Sequence, residues 1–165
     1  MSVLMDNELK VKFDFDYIQV ANDVVDTALV MEDCPYAAEV NITLVDDDTI
    51  LELNKEFRDI AKPTDVLSFP MLEFPKPADY DILKGGAELY FHPDSGELLL
   101  GDIVISVPTM IRQAQEYEHE SKREYAFLIA HSMLHLLGYD HLAEQEAKQM
   151  EEKQEKILEQ LKITR

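Results

Sequence analysis

A single cysteine, Cys34, in 165 residues leaves no partner for an internal disulfide and excludes a cysteine-rich zinc ribbon. Any metal site must therefore draw on histidine and carboxylate. Cations are scarce as well: 15 Lys and Arg stand against 34 Asp and Glu, a formal net charge of −19 with neutral histidines. The deficit is uneven, because residues 1–120 carry eight cations against 26 carboxylates while residues 121–165 carry seven against eight. A field of that sign repels nucleic acid and favours basic partners. A polyanionic substrate would need a local basic groove, a metal or a helper protein. Long apolar runs are absent too. The longest, Tyr125 to Tyr139, is interrupted by His131, Ser132 and His135 and is shorter than the roughly 20 residues a membrane-spanning helix needs. No membrane span is expected. The first ten residues, MSVLMDNELK, carry Asp6 and Glu8 without a basic leader or an apolar stretch, so the cytoplasm is the expected location.

What is present suits one folded domain over residues 1–165, with 46% hydrophobic residues to build its core. Leu9 to Tyr17 alternates apolar and polar, the period of a half-buried strand, and apolar residues from Tyr17 to Leu29 then fall at helical spacing. Glu39 to Val45 alternates again before Asp46-Asp47-Asp48, cap residues for a helix through Phe57. Val66 to Phe69 is a short strand ended by Pro70, and Leu98 to Ser106 another, followed by a helix that Pro108 opens. A helix from about Lys122 to Leu137 stops at Gly138, and Leu142 to Leu161 forms an amphipathic terminal helix. Its stripe is Ala143, Ala147, Met150, Ile157, Leu158 and Leu161. Between them, residues 74–97 read as a long loop or hairpin. The expected fold is an α/β domain: a mixed, mostly parallel four-stranded sheet packed with about five helices, the histidine-bearing helix in the core.

Three of five histidines fall at His131, His135 and His141. On a helix the first two lie one turn apart on one face, about 5–6 Å between Cβ atoms. Gly138 permits the left-handed turn that brings His141 back toward them. Three neutral imidazoles with an open fourth position are the requirement of a catalytic zinc site, whereas structural zinc takes four protein ligands. One divalent ion, zinc by preference, is the expected cofactor. His92 and His119 lack partners at useful spacing and are expected at the surface. The spacing also fits the long metalloprotease motif, but that motif places a glutamate base directly after the first histidine, where this chain has Ser132. Serine cannot replace that base.

The segment His131-Ser-Met-Leu-His135-Leu-Leu-Gly-Tyr-Asp-His141 resembles the H-G-x-L-H-L-x-G-Y-D-H signature of the YbeY family, single-strand-specific endoribonucleases also described as ribosomal RNA maturation factors. Asn54-Lys-Glu-Phe57-Arg58 and Pro63-Thr64-Asp65-Val66-Leu67-Ser68-Phe69-Pro70 resemble that family's N-x-x-F-R and T-D-V-L-S-F-P segments. Leu100 to Ser106 resembles its L-G-D-I-x-I-S strand. Ser132 departs from the family's usual glycine, and the 74–96 stretch is longer than in many relatives.

The resemblance implies that His131, His135 and His141 bind a divalent metal and that Arg58 contacts phosphate. Without it, Arg58 reads as a surface arginine paired with Asp59 or Glu56. Thr64, Asp65, Ser68, Asp102 and Ser132 are candidates to bind substrate or to orient the histidines, Asp65 or Asp102 as a carboxylate behind one of them. Asp65 and Asp102 read equally well as turn carboxylates, and Asp140 as the turn residue that positions His141. The expected activity is endonucleolytic cleavage of single-stranded ribosomal RNA, at the small-subunit 3′ end and in ribosome quality control, aided by a basic ribosomal protein or subunit. Two competitors stand beside it: an assembly protein whose metal only braces the fold, and a zinc hydrolase of peptides or small molecules.

Overall fold

A computed structural model describes residues 1–85 and 87–163. Its strands are β1 (Ser2–Asn7), β2 (Ala38–Val45), β3 (Val66–Pro70) and β4 (Leu98–Ser106). They form one sheet in the order β1-β2-β4-β3, with β1, β2 and β4 parallel and β3 antiparallel to β4. Its helices are α1 (Tyr17–Met31), α2 (Asp47–Arg58), α3 (Val107–Glu116), α4 (Ser121–Leu136) and α5 (Glu144–Gln160). The expected mixed sheet and its helices are all there.

Helices α1, α2 and α3 begin where the sequence offers a side-chain cap. Asp16, Asp46 and Ser106 each accept a backbone N–H from the first turn of α1, α2 and α3, satisfying donors that a helix start leaves unpaired. One sheet face is covered by α1 and α4, and α5 packs on those two helices. Helix α4 is enclosed nearly all round, with Ala126, Ile129, Ala130, Met133 and Leu134 fully buried. On the other face α2 encloses a smaller cluster of Val45, Ile50, Leu67 and Val104. β3 therefore has a helix on each side, α2 on one and α4 on the other.

One expected element is displaced. The strand read over residues 9–17 is not a strand; the chain pairs in the sheet at Ser2–Asn7 instead. Asn7 Oδ1 accepts from the backbone of Leu9 and Lys10, and Lys10 takes a left-handed conformation, φ 54°. The alternation survives as alternating burial, because Phe13 and Phe15 pack against Tyr17 and Tyr125 with ring centroids 5.0–6.1 Å apart. A period of two records which side chains face a core, whether or not a neighbouring strand is present.

The 74–97 segment is short 3-10 turns at Tyr80–Leu83 and Glu88–Tyr90, then a small hairpin in which Phe91 bridges Leu98. It is tied to the C-terminal ends of α1 and α4: Tyr80 Oη donates to the Glu32 carbonyl, and the Ala78 N–H donates to the Leu137 carbonyl at 2.8 Å. His119 departs from expectation, its side chain only 8% exposed beside Glu124. His92 Nδ1 accepts from the Asp94 and Ser95 N–H groups of its own turn.

Gly101 is the tightest point in the sheet. It follows a bulge in β4, its φ is 142°, and a Cβ there would sit 2.2 Å from the Phe69 carbonyl oxygen of β3. Gly101→Ala therefore has to push β3 off β4. The expected loss is about 3 kcal/mol, read as a drop of roughly 6–12 °C in Tm for a chain of this length. An unchanged melting curve would contradict this packing.

Candidate metal centre and its groove

The histidines sit where α4 ends. His131 and His135 project from its last turns toward β3, and the chain leaves the helix through Leu137 and Gly138. Gly138 has φ 99°, and a Cβ on it would lie 2.8 Å from Phe74 Cβ, so glycine permits both the turn and the approach of the 74–97 segment. The turn then carries His141 back. One nitrogen from each of His131, His135 and His141 lies within 4.8 Å of the others. His131 Nε2 and His135 Nε2 are 3.0 Å apart, against about 3.3 Å between two nitrogens of a tetrahedral zinc site.

The outer nitrogens are held from behind. His135 Nδ1 is 3.0 Å from the Tyr139 carbonyl; that nitrogen carries the proton, which leaves Nε2 as the free lone pair. Tyr139 is itself locked, its hydroxyl donating to Glu32 Oε1 while Lys153 Nζ lies 2.9 Å from Glu32 Oε2. His131 Nδ1 faces the carboxamide of Gln154 at 3.1 Å. With the proton on Nδ1 the amide presents its oxygen. The His141 N–H donates to Asp140 Oδ1, the turn role expected of Asp140.

Burial lowers the pKa of both helix histidines. His131 is pushed down to about 4, first by desolvation and then by His135 and His141, with Asp65 opposing. His135 is lowered by desolvation and His141, and Arg58 adds to it. Neutral imidazoles are what a divalent cation requires, so the donor set fits such an ion. The same shift has a consequence for the metal-free protein. Below pH 6.5 the unfolded chain takes up a proton at His131 that the folded chain refuses until about pH 4. Stability is therefore complete above pH 6.5 and falls as pH drops toward 4, by on the order of 3 kcal/mol from this group. Chelator-treated wild type should lose more stability between pH 7 and pH 4.5 in urea melts than His131→Gln does. Equal losses would contradict the shift.

The histidines open into a groove of about 1090 Å³. Arg58, Thr64, Asp65 and Ser68 line it with them. Arg58 ends α2 and is exposed; no ion pair ties it to Asp59 or Glu56 among the described residues. Asn54, buried one turn earlier, donates from Nδ2 to the Lys62 carbonyl and so pins the turn between Arg58 and β3. Asp65 Oδ1 accepts from the Val66 N–H and the Thr64 hydroxyl. Ser68 shares the face of β3 that turns to α4, opposite Ile103.

Two candidates are not brought to the site. Asp102 is exposed on the α2 side of β4 and accepts from Asn41 Nδ2 at 2.9 Å, because its register pairs it with Phe69 rather than with Ser68. It is not the carboxylate behind a histidine. Ser132 is fully buried in α4 and its hydroxyl has no hydrogen-bond partner among the described residues, so it faces the core and not the groove. Conversely, Gln154 was missed. The signal was a polar residue on the apolar stripe of the last helix, between Met150 and Ile157, where it is 3% exposed.

Fold and site together define an α/β protein with a solvent-facing three-histidine centre at the end of a buried helix, beside a groove bordered by one arginine. The family model described as Endoribonuclease YbeY matches residues 4–162, and the chain belongs to that family. It is 54% identical to Endoribonuclease YbeY of Agathobacter rectalis and 49% identical to that of Lachnoclostridium phytofermentans, over the full length of each chain. The solution structure of TM1509 from Thermotoga maritima shares the fold with a TM-score of 0.60 and 27% identity, over 95% of this chain and 87% of that one.

Proposed function

We propose that this chain is a metal-dependent endoribonuclease specific for single-stranded RNA, acting in the cytoplasm on the 3′ end of small-subunit ribosomal RNA and in ribosome quality control. The observation that carries the reading is the pairing of three convergent imidazoles with an arginine that has no ion pair among the described residues, across one open groove. His131, His135 and His141 would hold one divalent cation, zinc by preference. When bound, that ion supplies Lewis-acid chemistry, polarising a phosphoryl oxygen and acidifying water. The chain's own residues do the rest. Tyr139 and Gln154 keep two imidazoles in the ligating tautomer, and Arg58 meets charge that develops on the phosphoryl oxygens with a guanidinium that stays ionised. Ser68 offers a hydroxyl donor along the groove wall, which Thr64 also lines.

The net charge of −19 supports delivery to RNA by a basic ribosomal protein or subunit, since the protein's far field repels a polyanion. The peptide-hydrolase alternative loses ground at Ser132, which is buried away from the groove at the position where that chemistry needs a carboxylate.

The test is cleavage of a defined single-stranded RNA and of its duplex by the purified chain. Cleavage of the single strand alone, abolished by chelator and restored by added divalent ion, is the expected result. Chelator-resistant cleavage would overturn the metal dependence, and no cleavage with one metal bound per chain would turn the assignment toward an assembly protein.

A further inference from the structure

The groove is short of cations for a surface that takes a polyanion. Arg58 is its one Lys or Arg among the described lining residues, against the carboxylates Asp65, Glu73 and Asp140. Proteins that hold nucleic acid by its phosphates gain affinity from many such contacts, and this groove has one to offer apart from a metal. What it does present is an aromatic pair. Phe57 directly precedes Arg58 on the last turn of α2 and is 60% exposed. Its ring packs edge-on against Phe69 of β3, centroids 5.3 Å apart at 71°, and both line the groove with the histidines.

A single exposed ring is ordinary on a protein surface; this one is set apart by lining the groove with the histidines. Its neighbours narrow the choice of what covers it. The ring adjoins the arginine that contacts phosphate, and it is already braced by Phe69, so little freedom remains to be lost on binding. Stacking of a base on an aromatic ring needs no cation and tolerates any sequence, because every base has a π-face. We infer that Phe57, braced by Phe69, is the platform on which one unpaired nucleobase of the RNA stacks, next to the phosphate held by Arg58. The platform is also a source of single-strand selectivity, since a base inside a duplex is already stacked on both faces. For its ligand class this inference rests on the nuclease reading.

The experiment measures binding and turnover separately. Binding of a labelled single-stranded oligoribonucleotide to the full chain is followed by anisotropy in chelator, and KM and kcat are measured with divalent ion restored. The proteins are wild type, Phe57→Ala, Phe57→Leu and Phe57→Trp. The RNAs are the intact strand and a set in which one abasic ribose is stepped past the scissile phosphate. Removing the ring should weaken binding and raise KM by about 5- to 150-fold, the loss of one base–aromatic stack. Phe57→Leu, which keeps an apolar contact with Phe69, should fail like alanine, and Phe57→Trp should bind like wild type. At one position the abasic ribose should weaken wild type by the same factor and leave Phe57→Ala no weaker than it already is, the non-additivity of partners in contact.

Wild-type affinity in Phe57→Ala and Phe57→Leu, or abasic losses that simply add to theirs, overturns the platform. The two readings fail apart. RNA that is cut by wild type without dependence on Phe57 overturns the platform alone, while Phe57-dependent binding with no metal-dependent cleavage overturns the nuclease assignment alone.

Discussion

His135→Ala should lose both the bound cation and the cleavage of RNA. His135 is the middle of the three donors: its Nε2 meets His131, its Nδ1 is fixed by the Tyr139 carbonyl, and its ring lies 4.5 Å and 4.9 Å by centroid from those of His131 and His141. Without it, the two imidazoles that remain no longer close a three-nitrogen set around one ion. The stabilisation a Lewis acid lends to a phosphoryl transition state is several kcal/mol, which corresponds to a rate loss on the order of 10³-fold. Metal analysis should find far less than one ion per chain. The fold should persist, because α4 is held by Ile129, Met133 and Leu134 and not by this half-buried ring. A folded His135→Ala protein that cuts RNA at the wild-type rate would show that the cleavage does not come from this centre.

Arg58→Ala is the complementary case: cleavage should fall by about 10²- to 10³-fold, the loss typical of removing one donor to developing negative charge, while one ion per chain remains. Arg58 is not a ligand, and its charge opposes protonation of His135. Because it is exposed at the end of α2 and free of ion pairs among the described residues, its truncation should change stability by less than about 0.5 kcal/mol. Arg58→Lys should recover only part of the rate, since an ammonium cannot match the planar two-point contact of a guanidinium with phosphate. Loss of the metal together with the rate would mean that Arg58 shapes the histidine site instead of meeting the substrate.

These two variants separate roles that lie next to one another in the groove but far apart in the chain. Helix α2 delivers Arg58 and helix α4 delivers two histidines, and they meet because β3 is packed between them. Close packing makes that meeting vulnerable at a distance. Gly101 lets β3 approach β4, and Asn54 holds the turn that leads into β3. A change at either should move Arg58 relative to the histidines without touching a reacting group.

The convergence of His131, His135 and His141 was legible in the sequence because its geometry is local. A one-turn helical spacing and a helix-ending glycine put three imidazoles within reach by rules that need no knowledge of the rest of the molecule. The cap at Asp46 was local in the same sense, whereas Asp16 and Ser106 read as strand residues and showed their cap roles only in the structure. Strand partnership is not local. The 9–17 alternation correctly marked Phe13 and Phe15 as facing the core, yet the sheet took Ser2–Asn7, since alternation reports burial and is silent on who pairs with whom. Asp102 failed for a related reason: one step of register on β4 decides which sheet face a side chain joins, and the β4 bulge ahead of Gly101 resets that register.

The sequence by itself determined a helix end bearing three histidines, an α/β order of elements and, through its resemblance, Arg58 as a candidate phosphate contact. Only the tertiary structure decided which polar groups stand behind the histidines. Gln154 comes from a helix 23 residues downstream and Glu32 from one 107 residues before Tyr139. It also decided that Ser132 is buried and that Phe57 is left open at the groove. Spacing along the chain describes neighbours on one element, whereas burial and contact between elements arise only when the sheet and helices pack and exclude water from some faces and not from others.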